Sequence, residues 1–217
     1  MSLLPPAPLR FTPDGYFTLE QYLGIERATG RRYEYHDGHL VSVELMAGGS
    51  ANHSRLASNA GSLSFIGISA REAEADRLAD CDAHGSDLRI AVEGGRRYLY
   101  ADAVIVCGAP TYDTLIPSAI ANPVTVFEVL SSSSDGYDRG LKFEFYGALT
   151  SVREYVLISQ DRRWVEVRQR PSAEAAWQVR TVIAEDGAVT IPSLEIALPM
   201  SKLYRNWVPP ECDDAAA

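Results

Sequence analysis

The sequence predicts one domain of the α/β or α+β class, in which helices flank a mixed β-sheet. Two helical patterns lie near the N-terminus, apolar strands occupy the middle, and the C-terminal third consists of hairpins. The 217 residues suffice for one domain and fall short of two. The apolar share of 46% and the charged share of 23% are those of an ordinary globular protein, which excludes fibrous and disordered classes.

Two helices are predicted in the first third of the chain. Thr18 and Gln21 form a capping-box pattern, and the apolar positions that follow continue to about Thr29. Gly30 then ends this first helix. A second helix begins at Ser50 and is expected to extend to about residue 68.

A hairpin is predicted between these helices, and strands follow them. Residues 33–46 alternate around Asp37-Gly38, a dipeptide typical of a tight turn. A third helix is expected over residues 137–149, after a flexible break from Ser131 to Ser134. Further strands are expected from residue 78 onward, at 87–92, 98–107, Pro123–Leu130, Glu154–Ser159, 164–170, 177–183, Ala188–Ile191 and 194–198.

The chain divides into an irregular N-terminal arm (residues 1–17), one domain (18–207) and an acidic flexible tail (208–217). The arm has no apolar core of signal-peptide length, and no stretch reaches the ~18 apolar residues of a membrane span. We therefore expect a cytoplasmic protein with no membrane partner. Cys81, Cys107 and Cys212 are odd in number and widely spaced, so buried thiols are expected.

Two acidic residues lie in strands that are otherwise apolar. Asp102 lies within residues 98–107 and Glu128 within Pro123–Leu130, and the strand period of two places each on a face with valines. A carboxylate on such a face must pair with a cation, coordinate a metal ion or take up a proton. Each acid alone also fits a strand end that reaches water, or an arginine partner.

Lys142 follows these acids on the third predicted helix, and Lys202 is the only other lysine in the chain. A helix places Lys142 on a polar stripe with Arg139 and Tyr146, at spacings of three and four residues. By position alone, a solvated lysine on an outer helix face is the better interpretation.

The order of several short motifs resembles the Uma-two family of restriction-endonuclease-like proteins. The resemblance covers the chain from about Thr18 to Trp207. Each motif is weak alone, but the ordered set is specific. The motifs include Tyr33-Glu34-Tyr35-His36-Asp37-Gly38, Ser86-Asp87-Leu88-Arg89, Asp102-Ala103-Val104-Ile105-Val106, Phe127-Glu128-Val129-Leu130-Ser131 and Tyr137-Asp138-Arg139-Gly140-Leu141-Lys142.

This resemblance implies the PD-(D/E)XK nuclease superfamily, whose fold is a mixed sheet flanked by helices, here with additional hairpins. Asp102 corresponds to its first metal-binding acid and Glu128 to its second. Leu130 stands where the superfamily usually has lysine, so the resemblance implies that Lys142 takes over that role. Glu34 corresponds to an additional acid often found near such sites.

Other positions of the resemblance carry no assigned chemistry or depart from the family pattern. Asp87 corresponds to a family acid whose role is unassigned. Ala101 and Ser132 stand where the family usually has proline, and both changes affect the backbone beside the site. Among the histidines, His36 and His39 are expected to be exposed beside the hairpin turn. His53 is expected at the surface of the second helix, and a position beside Asn52 that faces the site is the alternative.

The resemblance implies a DNA endonuclease that uses Mg²⁺ or Mn²⁺. Mg²⁺ prefers oxygen ligands and keeps several waters, so Asp102 and Glu128, with the Val129 carbonyl, suffice to hold it. The net charge of -9 opposes unspecific adhesion to nucleic acid. A local basic surface would therefore have to come from arginines, namely Arg27, Arg31, Arg32, Arg139, Arg162, Arg163, Arg168 and Arg170.

Two other functions fit the same residues. A catalytically weak binding or assembly protein on a nuclease scaffold is one, because a fold does not fix a function. Exposed aromatic residues and the C-terminal hairpins are expected to form a homodimer interface in either case. A hydrolase of small phosphate esters or nucleotides is the other, since it would use the same metal ligands.

Overall fold

The computed structural model describes residues 15–43, 50–75 and 81–210. Its helices are α1 (Leu19–Thr29), α2 (Ala51–Ala75), α3 (Asp135–Tyr137, the π-helical turn Asp138–Lys142 and Phe143–Ala148) and α4 (Met200–Leu203), with a 3-10 turn at Pro192–Leu194. Its strands are β1 (Tyr33–His36), β2 (His39–Ser42), β3 (Cys81–Gly85), β4 (Arg89–Val92), β5 (Arg97–Tyr100), β6 (Ala103–Cys107), β7 (Pro123–Leu130), β8 (Glu154–Ser159), β9 (Val165–Gln169), β10 (Gln178–Val182), β11 (Ala188–Ile191) and β12 (Ile196–Pro199).

The strands form three sheets, and the predicted mixed sheet flanked by helices is confirmed. The large sheet has the order β10-β9-β8-β7-β6-β3, and within it only β7 and β8 pair in parallel among the described strands. The small sheet has the order β2-β1-β5-β4, and β11 pairs with β12 as a separate hairpin. No helix in the described ranges is long and apolar enough to cross a membrane.

The two faces of β7 pack against different helices. Phe127 and Val129 share one core with residues of α2, whereas Val126 and Leu130 share another with residues of α3. Because side chains alternate along a strand, Glu128 lies on the α3 face. The helix α3 also provides the crossover between β7 and the parallel strand β8, so β7 leads directly into it.

The first predicted helix and the predicted hairpin turn are confirmed. Thr18 caps α1 with both hydrogen bonds of the capping box, and Gly30 ends it at φ 65°. The β1–β2 hairpin turns at Asp37-Gly38, where both residues have positive φ. A Cβ on Gly38 would lie 2.5 Å from the Tyr16 ring, so this position requires glycine. Residues 44–49 of the predicted hairpin and residues 78–80 of the next strand lie outside the described residues.

The second helix is longer than predicted. Ser50 Oγ accepts a hydrogen bond of 3.0 Å from the His53 amide, which is consistent with the predicted start. The predicted end near residue 68 is wrong, because α2 continues to Ala75. Its last turns lie over the β11–β12 hairpin, where Arg71 donates to the Leu194 carbonyl at 2.9 Å. Contacts with this hairpin stabilise the last turns of α2, where the apolar periodicity of the sequence is weak.

The expected single strand over residues 98–107 is wrong. β5 ends at Tyr100 in the small sheet and β6 begins at Ala103 in the large sheet. Asp102 therefore lies at the corner where the chain changes sheets, and its amide donates to the Phe127 carbonyl at 3.1 Å. The apolar pattern continues across the corner because both strands are buried, so periodicity alone does not show the break.

The remaining strands follow the predictions closely. Pro123–Leu130, Glu154–Ser159 and Ala188–Ile191 have the predicted bounds. Most of the others differ by one or two residues at their ends, which is the usual uncertainty of such bounds. The last predicted strand begins later than expected because Pro192–Leu194 forms a 3-10 turn before β12.

Cys81 and Cys107 are joined by a disulfide, so the expectation of buried thiols is wrong for both. The antiparallel pairing of β3 with β6 places the two cysteines directly opposite each other, which the sequence spacing does not reveal. Cys212 lies outside the described residues.

Removing this disulfide is expected to lower the free energy of unfolding by roughly 3 kcal/mol, as the loss of a cross-link over this loop length predicts. The test is urea unfolding of the double variant Cys81→Ser/Cys107→Ser against the oxidised wild type. An unchanged midpoint, with free thiols titrated in the native wild type, would contradict the disulfide.

Candidate active site

The two predicted acids lie at one small cavity, where the corner before β6 approaches β7. Asp102 Oδ2 accepts a hydrogen bond of 2.7 Å from the Val129 amide. Glu128 is 3% exposed on β7. Asp102, Glu128 and Val129 all line a cavity of about 30 Å³, which has room for one or two water molecules. The structure thus brings these three predicted residues together.

Lys142 lies among carboxylates at the same cavity. Its Nζ is 2.9 Å from Glu128 Oε1, 3.4 Å from Glu34 Oε1 and 3.8 Å from Asp138 Oδ1. The residue is only 5% exposed, so the alternative of a solvated lysine does not apply. One ammonium group therefore connects Glu128 of β7 and Glu34 of β1 with Asp138 of its own helix.

The π-helical turn in α3 separates side chains that a regular helix would align. Lys142 and Asp138 both line the cavity. Arg139 instead points away and forms ion pairs of 2.9 Å each with Asp135 and Glu166. The predicted stripe of Arg139 with Lys142 is therefore wrong, because the wider π turn changes the angle between successive residues.

The segment before α3 is ordered by its own hydroxyl groups, so the expected flexible break is wrong. Ser131 and Ser134 are buried, and their Oγ atoms are 3.0 Å apart. The Asp135 amide donates to the Ser131 carbonyl at 2.9 Å. The serine hydroxyls bond to one another and to the nearby backbone in place of water. These hydrogen bonds fix the start of α3, the helix that carries Lys142.

Glu34 on β1 is anchored by protein groups at both oxygens. Tyr137 Oη donates to Glu34 Oε2 at 2.5 Å, and His36 Nε2 is 3.3 Å from the same oxygen. Oε1 accepts from the Tyr100 amide at 3.3 Å and lies near Lys142. Glu34, the additional acid implied by the resemblance, thus pairs with Lys142, and protein groups contact both of its carboxylate oxygens.

Two histidines expected at the surface are buried at the site, so those expectations are wrong. His53 Nε2 lies 3.3 Å from Asp102 Oδ2, because the first turn of α2 packs over the corner before β6. His36 contacts Glu34 from β1, which lies inside the small sheet between two other strands. His39 is exposed as expected.

The pKa values at the cavity reflect burial and the shared lysine. Burial raises the pKa of Glu34, but Lys142 and the hydrogen bonds from His36 and Tyr137 outweigh it and lower the pKa to about 2. Burial raises the pKa of Glu128 well above its usual value, with Asp138 and Asp102 adding to the rise against Lys142. Burial likewise raises the pKa of Asp138 to about 6. Lys142 stays protonated, because its acidic partners overcome burial and raise its pKa.

The residues at the cavity fit a hard divalent cation. Glu128 Oε1 forms an ion pair with Lys142, yet within the described part of the chain it accepts no hydrogen bond of good geometry. Across residues 15–43, 50–75 and 81–210, no three His, Cys, Asp or Glu side chains are already arranged to hold a metal ion. Lys142 lies between the acids. A hard divalent cation that keeps several waters requires only two carboxylate ligands, which is fewer than three protein side chains.

A larger cleft opens beside the cavity. Its volume is about 900 Å³, and α2 and β3 form its walls. His53 and Asp102 line both the cleft and the small cavity, so the acids are reached from it. Arg32 also lines the cleft, where it pairs with the exposed Asp87 at 3.1 Å, which places the unassigned family acid at the cleft wall.

The arginines named from sequence do not converge on this cleft. Of the eight, Arg32 alone lines it within the described residues. Arg168 pairs with Glu166 on β9, and Arg170 donates to the Val152 and Leu149 carbonyls. Most of these guanidinium groups therefore stabilise the fold on other surfaces.

Two tyrosines of α3 offer a matched test of the buried network. Tyr137→Phe removes a hydrogen bond to the Glu34 carboxylate and is expected to lower the free energy of unfolding by about 1.5–3 kcal/mol. Tyr146 Oη is buried and has no hydrogen-bond partner among the described residues. Tyr146→Phe is therefore expected to leave stability unchanged or raise it by ~1 kcal/mol. Chemical denaturation of both variants is the measurement, and equal losses would contradict the network.

Several site residues were missed at the level of sequence. Asp138 and Tyr137 contact the predicted residues, yet the motifs assigned no role to either, and His53 was expected at the surface first and at the site only as an alternative. One available signal was the spacing of four residues between Asp138 and Lys142. No comparable signal linked His53 to Asp102, because these residues are far apart in the chain.

A mixed sheet flanked by helices, with strand acids and a lysine at one cavity, is the arrangement of restriction-endonuclease-like domains. The family model described as "Uma2: Putative restriction endonuclease" matches residues 19–201. The chain belongs to this family, which confirms the resemblance seen in the motifs.

The chain is also similar to two relatives and to one solved structure. The chain is 28% identical to "Uncharacterized protein sll1609" of Synechocystis sp. over 82% of this chain and 94% of that protein. It is 27% identical to "Uncharacterized protein slr1290" of the same organism, over 86% of this chain and 90% of that protein. A crystal structure from Anabaena variabilis is described as a putative nuclease belonging to DUF820. It superposes on this structure with a TM-score of 0.60 and 18% sequence identity, and the match covers 87% of this chain and 97% of that chain. At this identity the similarity shows the fold alone.

Proposed function

We propose that the protein is a metal-dependent endodeoxyribonuclease that hydrolyses DNA phosphodiester bonds. The observation that carries the proposal is the Lys142 ammonium group, buried among Glu128, Glu34 and Asp138 at a cavity beside an open cleft. Burying such a charge cluster is costly, and a purely structural core would be stabilised as well by apolar side chains. A catalytic role at the cavity would explain why these charged side chains are buried together.

Asp102 and Glu128, with the Val129 carbonyl, are the proposed ligands of Mg²⁺ or Mn²⁺. When bound, such a cation lowers the pKa of a water molecule and neutralises charge on phosphoryl oxygens. Asp102 is held in place by the Val129 amide and faces His53. Glu128 Oε1 is buried, lies 2.9 Å from Lys142 Nζ and accepts no hydrogen bond among the described residues. Both carboxylates are thus oriented before any ligand arrives.

Lys142 is proposed to supply fixed positive charge beside the reacting phosphate. Its raised pKa keeps it an ammonium group, which donates hydrogen bonds and cannot accept a proton. An ammonium group near the phosphate stabilises the negative charge that develops in the transition state. Glu34 acts as a positioning residue, because Tyr137, His36 and the Tyr100 amide hold its carboxylate against the lysine.

DNA is the proposed substrate, and it would enter through the cleft between α2 and β3. The cleft carries one arginine, Arg32, so few phosphate contacts are available and binding is expected to be weak. The family description of a restriction endonuclease supports DNA as the substrate. The predicted homodimer and cytoplasmic location stay predictions. The disulfide is an argument against a strongly reducing compartment.

The proposed function is tested with purified protein, Mg²⁺ or Mn²⁺, and three substrates: duplex DNA, single-stranded DNA and a small phosphodiester. We expect metal-dependent DNA cleavage, with DNA binding that weakens as salt rises. Hydrolysis of the small ester alone would replace the proposal with a phosphoesterase. Salt-independent binding without hydrolysis would favour an assembly protein.

A further inference from the structure

We propose that the cleft between α2 and β3 binds single-stranded DNA, with one base stacked on the exposed ring of Phe65. The inference rests on the proposed function and deepens it, because it names the form of DNA that reaches the cavity and a residue that binds it. Neither the motifs nor the family description assigns a role to Phe65 or a strand preference to the chain.

Two neighbouring apolar side chains are exposed at this cleft. Phe65 is 57% exposed and Ile66 is 60% exposed, and both line the cleft. The other large apolar side chains that are exposed in the described ranges lie outside it. Adjacent exposed apolar side chains in a cleft indicate a binding surface, whereas single ones scattered over a protein need no explanation. The Phe65 ring is suited to the flat face of a base, because bases stack on aromatic side chains.

The helix α2 aligns this ring with the cavity. Three exposed serines and one phenylalanine recur every three or four residues on the face of α2 that lines the cleft, namely Ser54, Ser58, Ser62 and Phe65. His53, in the first turn of the helix, lines both the cleft and the cavity. At about 1.5 Å of rise per residue, the helix separates His53 from Phe65 by roughly 18 Å. This separation equals about five nucleotides of a stacked strand, which is within the site sizes of single-strand-binding folds.

The charge of the cleft favours a single strand over a duplex. Among the described residues, Arg32 is the only lysine or arginine that lines the cleft, and it pairs with Asp87 at 3.1 Å. Duplex binding depends on several Lys or Arg contacts to phosphates, which this cleft does not supply. Stacking on Phe65 requires no positive charge, and the serine hydroxyls of α2 suit phosphate oxygens. In a duplex the faces of the bases already stack on one another, so they are not available to Phe65.

The depth of the proposed catalytic acids also favours a flexible strand. Glu128 is 3% exposed, and Asp102 lies where the cleft meets the small cavity. The cleft volume of about 900 Å³ is that of a pocket for a compact ligand, which corresponds to a few nucleotides. A duplex is stiff over about 150 base pairs. A single strand bends within a few nucleotides, so one of its phosphates can approach the recessed acids.

The test is equilibrium binding of a fluorescent oligothymidylate of about 12 nucleotides to the full chain, in EDTA so that no cleavage occurs. We expect the single strand to bind at least ~10-fold more tightly than a duplex of equal length. Phe65→Ala should weaken single-strand binding by about 10-fold, the order of loss when one stacking side chain is removed. Phe65→Trp should keep the affinity, and Phe65→Leu should not, because only the ring stacks. Tyr112→Ala is the matched control, since Tyr112 is an aromatic residue that is 55% exposed outside the cleft.

An abasic strand of the same length separates stacking from contacts with phosphates. It keeps the phosphates and lacks the bases, so it should bind the wild type and Phe65→Ala equally. Wild-type affinity of Phe65→Ala for the oligothymidylate, or tighter binding of the duplex, would overturn the inference. Metal-dependent cleavage of duplex DNA alone would overturn the inference and leave the proposed function intact. Single-strand binding that depends on Phe65, without cleavage in Mg²⁺ or Mn²⁺, would support the inference and overturn the proposed function.

Discussion

Replacing Asp102 or Glu128 with alanine is expected to abolish metal-dependent DNA cleavage, a loss of at least ~10³-fold in rate. Both carboxylates line the cavity, and Asp102 is additionally fixed by the Val129 amide. Removing either leaves the proposed cation with too few protein ligands. The measurement is single-turnover cleavage of labelled DNA with Mg²⁺ and with Mn²⁺.

Glu128→Gln separates loss of cleavage from loss of folding. The raised pKa of Glu128 indicates that its charge is unfavourable in the fold, so this variant should cost little stability or even stabilise the domain. Loss of cleavage in a Glu128→Gln variant that stays folded would therefore not be explained by unfolding. Asp161→Ala, at an exposed acid outside the cavity, is the control and should keep full activity. Identical trace cleavage by the wild type and both alanine variants would contradict the account.

Replacing Lys142 with methionine is expected to lower the free energy of unfolding by about 3–5 kcal/mol at neutral pH, the usual cost of leaving buried partners uncompensated. Glu34 and Glu128 would then face each other without a cation. The low pKa of Glu34 depends on this lysine, so the carboxylate would no longer be stabilised in its charged form. Urea unfolding of the variant is the measurement.

The loss should depend on pH with a definite sign. In the wild type, the pKa of Glu34 is lowered from 4.5 to about 2, so Glu34 contributes stability above its unfolded pKa and loses it as the pH falls through about 2. The variant lacks this contribution, so its deficit should be largest near neutral pH and shrink below about pH 4, where carboxyl groups take up protons. A deficit independent of pH would contradict the ion cluster. Adding Glu128→Gln to the variant should recover part of the stability, because it removes one uncompensated charge.

Local patterns were sufficient for much of the fold. The capping box at Thr18, the stop at Gly30 and the turn at Asp37-Gly38 depend on a few neighbouring residues, and the structure has all three. The strand of Glu128 was also evident, since a continuous apolar run of this length fits few other structures. These features are decided within one element.

Features decided by contacts between elements were not predictable. The corner at Asp102 arises because two buried strands belong to different sheets, and burial erases the pattern that would mark the break. The Cys81–Cys107 pairing depends on the register of β3 against β6. His53 looked like a surface residue because only the packing of α2 over that corner buries it.

The candidate site was predictable in its main residues and not in their partners. A carboxylate in an apolar strand is costly enough that Glu128 required an explanation from the sequence alone. The resemblance implied Lys142 and Glu34, and the structure places both at the same cavity. Asp138 was missed because the π-helical turn that aims it at the cavity leaves no mark in the spacing of apolar residues.

A crystal structure of the wild type soaked in Mn²⁺ tests the central claim most directly. The account predicts an anomalous scattering peak within coordination distance of the Asp102 and Glu128 carboxylates, with the Lys142 ammonium group beside it. A cavity without that peak at saturating Mn²⁺, with Glu128 still paired to Lys142 alone, would contradict it.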